Sequence, residues 1–189
     1  PRPEAHVMIP NAETLVKRFD YIVGRVDDVT KEMNSQIAGA VSEINQPAGG
    51  IATLNEEIAK VSGRTGGLPN DLLDQRDALI VQLSSLVDTK TLAQDDGSLN
   101  VFIGRGQPLV TGTVAETLAT QTDPDLGSTS IVTLSAFVAG SSDVSDFLTG
   151  GKLGAALTVT DEVVNPTRRE LNLLAVGFAE TINAIQEGG

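Results

Sequence analysis

The chain has no cysteine and no tryptophan, one histidine and one tyrosine, and aromatic residues fill only 3% of its 189 positions. Without cysteine there is no disulfide framework, no thiolate nucleophile and no zinc-thiolate site. A lone histidine, His6, rules out multi-histidine metal sites. So few aromatics leave no stacking platform for bases or sugars. Positive charge is scarce too: 13 Lys and Arg face 25 Asp and Glu, a net charge of −12. Nucleic-acid binding needs a basic footprint that displaces counterions from phosphate, and an acidic surface is repelled by anionic membranes. Neither nucleic acid nor membrane is therefore an expected partner. No apolar run approaches the roughly 20 residues of a membrane span. The opening PRPEAHVMIP also lacks the charged-then-apolar pattern of a signal peptide. The length suits one domain, and the acidity suits a protein that stays unassociated before it assembles. Beginning at Pro1 and stopping at Gly188-Gly189 after a helical pattern, the chain reads as an internal piece of a longer protein.

What is abundant is helical periodicity. Leu15, Phe19, Ile22, Val26, Val29 and Met33 alternate four and three apart, the seam of a coiled coil or long bundle helix. Ile37 arrives four after Met33, a stutter, and the seam resumes with Val41, Ile44, Ala48, Ile51, Leu54, Ile58 and Val61. A helix from about residue 12 to 62 would reach roughly 75 Å. Pro47, Gly49 and Gly50 interrupt it and predict a kink or break near Gln46. After Gly63, Gly66 and Gly67, a second helix is expected over Pro69–Val87, with Asn70 as its N-cap and Asp71 and Asp74 on the positive end of its dipole. Leu72, Arg76, Leu79, Leu83 and Leu86 form its inward stripe, widened by Leu73, Ile80 and Val87.

From Thr89 the period falls to two. Thr89–Leu92, Leu99–Ile103, Pro108–Val110, Glu116–Ala119 and Ile131–Leu134 read as short strands, separated by turn residues of which Asp96-Gly97 is the sharpest signal. They predict a small antiparallel sheet packed on the helices. Ser141–Thr149 reads as a polar connection with a short strand or turn around Val144. Helical pattern returns at Gly150-Gly151, with Leu153, Leu157 and Val164, then Leu171, Leu174, Phe178, Ile182 and Ile185. Pro166, after Asn165, either kinks this helix or starts a new one. The fold class is α+β: an elongated antiparallel helical bundle or rod with a small antiparallel β-sheet or hairpin region inserted between helices. Its parts are 1–88, the long and return helices; 89–149, β-rich; and 150–189, the closing helix, together one elongated domain.

Reactive constellations are few. A Ser-His-Asp arrangement could be built only on His6, which reads as a surface residue. Asp95 and Asp96 are adjacent in a turn, where carboxylates cap the loop, and they miss the alternating spacing of a calcium loop. Gly104-Arg105-Gly106 lacks the Lys-Ser/Thr ending and following helix of a phosphate loop, so it reads as a hairpin turn. Arg76, between Asp74 and Asp77, is expected to form exposed or partly buried ion pairs. No catalytic, cofactor-binding or metal residue is assigned, no cofactor is expected, and the chain does not read as an enzyme.

Several strings resemble one family in order. PEA at Pro3–Ala5 and AETLVKRFD, ending at Asp20, look like the lead into its long helix. ATLNEEIAKV (Ala52–Val61) followed by PNDLLDQRDAL is similar to its most recognisable block. DDGSLNVFIGRGQPLVTG (Asp95–Gly112), GGKLGAAL (Gly150–Leu157) and NPTRRELNLLAVGFAETINA (Asn165–Ala184) resemble its hairpin and later helix. The family is that of flagellar hook-associated protein 1. Pro47 with Gly49-Gly50, and Thr158-Val159-Thr160, depart from its pattern. The resemblance implies a structural subunit of the hook–filament junction of the bacterial flagellum. Its implied partners are copies of itself in a ring, the hook protein and the second junction protein. An export chaperone would bind terminal segments absent here, and the location would be extracellular, reached by type III export without a cleavable signal peptide. The sister protein, hook-associated protein 3, is the alternative within the class, and a surface-exposed adhesin or receptor-binding rod the alternative outside it.

Overall fold

The computed structural model describes residues 3–65, 67, 69–122, 130–135 and 141–187. Its dominant element is α1, Pro3–Thr65, a helix of 63 residues. At 1.5 Å per residue it is about 95 Å long. It starts nearer the chain's beginning than the apolar seam suggested and passes through Pro47 without the expected break. The proline removes one backbone hydrogen bond, to the Glu43 carbonyl, yet its ring is buried in the core. Ile44, Ala48 and Ile51 on either side are fully buried, so packing holds both neighbouring turns helical across the gap.

The seam behaves differently in its two halves. Ile37, Val41, Ile44, Ala48, Ile51 and Ile58 are buried, but Leu15, Ile22 and Val29 are exposed. The change falls at the stutter before Ile37. Between Ile51 and Ile58 the seam runs through the fully buried Asn55 rather than through Leu54, which is half-buried.

Helix α2, Asn70–Leu86, folds back along α1. Its cap is Pro69, in extended backbone, not Asn70, which is the first helical residue. Pro69 needs no N–H there, and its carbonyl accepts from both Leu72 and Leu73 at 3.1 Å. Arg76, Leu83 and Leu86 are its buried residues.

Two sheets follow, where the sequence predicted one. The first is a four-stranded meander of β1 (Thr89–Ala93), β2 (Leu99–Ile103), β3 (Gln107–Thr111) and β4 (Val114–Ala115). All neighbours are antiparallel, with an irregularity between Val101 and Phe102. The second is a three-stranded antiparallel meander of β5 (Thr117–Thr122), β6 (Ser130–Ser135) and β7 (Ser141–Asp143). Sequence periodicity missed β4, whose two residues cannot show alternation, while the short strand or turn expected around Val144 corresponds to β7, which ends at Asp143. Val101, Ile103, Leu109, Val110 and Leu118 turn inward and join Ile44, Ile51, Leu83 and Leu153 in one core cluster.

A short 3₁₀ turn, Ser145–Phe147, leads to α3, Gly151–Val159. Gly151 has φ +58°, and a Cβ there would sit 2.3 Å from the Leu86 carbonyl carbon, so glycine is required where α3 starts against the end of α2. Asp88 ties the same corner: its N–H donates to the Thr149 carbonyl (2.9 Å) and its carboxylate accepts from the Thr149 hydroxyl (2.8 Å).

A new α-helical segment does start beside Pro166, at Asn165, with no gap in the helical path before it. Residues Thr160–Val164 form one π-helical turn, and α4, Asn165–Glu187, continues from it. The Asn165 N–H reaches back five residues to the Thr160 carbonyl. This wider turn precedes the proline, whose ring would crowd the Glu162 carbonyl in a regular helix. Lys152 meets Glu43 at 3.0 Å and Arg168 meets Asp27 further out, so α3 and α4 run antiparallel to α1.

Candidate functional site

The polar centre of the body is Asn55, fully buried on α1. Its Nδ2 donates to the carbonyls of Leu99 (2.8 Å) and Gly112 (2.6 Å), and its Oδ1 accepts from the Leu99 N–H (3.1 Å) and from Arg76 Nη1 (3.1 Å). Arg76 Nη1 also donates to the Gly97 carbonyl (2.8 Å) at the tip of the β1–β2 hairpin. Arg76 is thus buried and bonded to an amide and a carbonyl, not to Asp74 or Asp77 as its neighbours suggested. Burial pushes its guanidinium below the usual arginine range, while Asp77 opposes that shift. Asn45 does for the second sheet what Asn55 does for the first. Its Nδ2 donates to the Leu118 carbonyl and its Oδ1 accepts from the Leu118 N–H, both at 2.9 Å. Neither asparagine stood out in the sequence, although Asn55 sits at a seam position, where a buried amide fixes register.

The residues weighed as chemical candidates are dispersed. Asp96 accepts from the Ser98 N–H at 2.9 Å, and Gly97, with φ +85°, closes the hairpin. Hydrogen bonding to Ser98 holds the Asp96 carboxyl below its ordinary value. Gly104-Arg105-Gly106 links β2 to β3 as a turn. The His6 side chain lies outside the described residues. Among the described residues no cluster of His, Cys, Asp or Glu could hold a metal, and no helix is long and apolar enough to cross a membrane.

The surface that stands out is the arm where α1 and α4 leave the body. Tyr21 is 70% exposed and Leu173 73%, and Leu15, Val16, Ile22, Val29, Val163, Leu174, Val176 and Phe178 are also exposed. Leu15 and Phe19 face Leu174 and Phe178 across one groove between the helices. Tyr21, Ile22, Val29 and Val163 line another. So much uncovered apolar surface on a two-helix ribbon marks an interaction site.

Comparison with known proteins gives this geometry a context. Residues 2–189 match the family model described as the flagellar hook-associated protein FlgK helical domain. The chain belongs to that family. It is 34% identical over 184 residues to flagellar hook-associated protein 1 of Escherichia coli (strain K12), covering 96% of this chain and 34% of that protein. To the protein of the same name from Salmonella typhimurium it is 35% identical over 182 residues, covering 94% of this chain and 32% of that one. The solved structure of the flagellar hook junction protein FlgK from Burkholderia pseudomallei superposes with a TM-score of 0.77 at 33% identity, covering 97% of this chain and 33% of that one. The chain therefore spans about a third of the length of the relatives it matches. Every string that carried the FlgK resemblance lies inside the matched range, including the Asn55-to-Arg76 block and the hairpin it grips.

Proposed function

We propose that this FlgK-type chain is the rod portion of a structural subunit at the junction between hook and filament of the bacterial flagellum. It acts by packing against copies of itself and against adjoining axial proteins, outside the cell, and no catalytic step belongs to this reading. The observation that carries it is the family match across residues 2–189, supported by a relative titled a flagellar hook junction protein whose structure this chain follows at 33% identity. The physical design agrees. Two side-chain amides of the long helix tie it to both sheets and, through Arg76, to α2, and apolar residues that a folded monomer would bury are left outside on the arm. We take residues 1–88 and 150–189 as the rod and 89–149 as its β-rich attachment, one elongated domain with a single core cluster.

Removing the gene from a motile strain tests the function. Cells should keep hooks, lose filaments and regain both filaments and swimming when the gene is restored. Intact filaments combined with lost surface attachment would instead support an adhesin and overturn the proposal.

A further inference from the structure

Asp96-Gly97 is the chain's one Asp-Gly pair, and Asn-Gly does not occur. Such a pair carries a reaction of its own, because glycine has no side chain to keep its backbone nitrogen away from the preceding carboxyl. The Gly97 nitrogen attacks the Asp96 Cγ. A C–N bond forms, the C–OH bond breaks, and the amide proton leaves with the hydroxyl as water, closing a five-membered succinimide. Water then opens one of the two imide carbonyls. Opening at Cγ restores aspartate, whereas opening at the main-chain carbonyl routes the backbone through the side chain as isoaspartate, one methylene longer.

Asp96 is exposed at the tip of the β1–β2 hairpin, so water reaches it freely. The groups that must move are nevertheless held. The Gly97 N–H donates to the Gln94 carbonyl (3.1 Å), and the Asp96 carboxylate accepts from the Ser98 N–H (2.9 Å). Bonding to Ser98 also keeps the carboxyl below its ordinary pKa, and the ionised form resists attack by a nucleophile. The far side of the glycine is gripped from inside the body. Arg76 Nη1 donates both to the Gly97 carbonyl (2.8 Å) and to the Asn55 amide oxygen (3.1 Å). Leucine at that stripe position would fill the space without desolvating a charge. The arginine makes no ion pair among the described residues, and its Nε is buried without a partner there.

We propose that the hairpin tip is a succinimide and isoaspartate site, and that Arg76 is the residue that holds it closed. To react, the Gly97 nitrogen has to turn from Gln94 toward the Asp96 Cγ. With the Gly97 carbonyl fixed on Arg76, that turn waits for a local opening of the tip. The added methylene of isoaspartate would carry the same carbonyl away from Arg76, so conversion would also loosen α2 from the hairpin.

Peptide mapping by mass spectrometry tests this after incubation of the 189-residue chain in mildly acidic buffer. The succinimide is lighter by one water, and isoaspartate elutes apart from aspartate. The folded chain should convert at least about ten-fold more slowly than the chain unfolded in urea. Arg76→Met should convert about ten-fold faster than the parent, and Arg76→Lys, which keeps the charge, should fall between them. Loss of global stability is separated by holding the parent in enough urea to match the unfolding free energy of each variant; the variants should still convert faster. If Arg76→Met does not fold, Arg76→Lys carries the comparison. Folded and unfolded chains converting alike, or a urea-matched parent keeping pace with the variants, would overturn the proposal.

Discussion

At the residue scale, the side chains that matter most to the body are amides. Truncating Asn55 would strip partners from the Leu99 N–H, the Leu99 and Gly112 carbonyls and Arg76 at once. Each unsatisfied buried group costs about 1–3 kcal/mol. Asn55→Ala should therefore lower unfolding stability by about 3 kcal/mol or more in urea titration. A double-mutant cycle with Arg76→Met should be non-additive by at least about 0.5 kcal/mol. Asp161 works in the opposite sense. Burial, with Asp146 and Asp143 adding to it, raises its pKa above the ordinary carboxylate value. Its contribution to stability is present when it is protonated at low pH and lost as pH rises through the folded pKa. Asp161→Asn keeps an oxygen to accept from Asn165 Nδ2. It should raise the melting temperature modestly at neutral pH and leave it unchanged near pH 3, where the parent side chain is mostly protonated. The sequence disclosed the apolar stripe that includes Arg76 but not the partners of Arg76 and Asn55, because their bonds join residues 21 to 57 positions apart. Asn55 was hidden by Leu54, which satisfies the heptad as well on paper.

At the element scale, α1 tolerates glycine differently at adjacent positions. A Cβ at Gly49 would meet nothing within 4 Å, whereas one at Gly50 would lie 2.7 Å from the Leu79 Cδ1 atom. Gly49→Ala should stabilise the fold by about 1 kcal/mol through helix propensity alone. Gly50→Ala has to displace Leu79 and should return little or none of that gain, so thermal melts of the two variants should separate. The elements themselves were largely legible. The β2 boundaries and the Asp96-Gly97 hairpin follow directly from alternation and turn chemistry. The helix crosses Pro47 without a break, and α4 starts beside Pro166 without a gap, for related reasons. A proline's local cost of a few kcal/mol can be outweighed by buried neighbours or relieved by one widened turn, and neither appears in a local reading.

At the scale of the whole molecule, antiparallel packing of the first and last helices was foreseeable from their order, but the uneven covering of α1 was not. Periodicity marks an apolar stripe; it does not say what lies against it. The 189 residues by themselves should sediment as a monomer at micromolar concentration, because a net charge of −12 opposes casual association of the arm's apolar grooves. A stable closed oligomer at that concentration would contradict this expectation. The π turn at Thr160–Val164 also sets which way the arm faces. It works as a one-residue phase insertion: everything beyond it is rotated by roughly 100° relative to an uninterrupted α-helix. Leu174 and Phe178 look across at Leu15 and Phe19 only because of that offset. Deleting a single residue within 160–164 would leave the composition of α4 intact and swing its apolar row away from its counterpart, so five residues aim the twenty-three that follow.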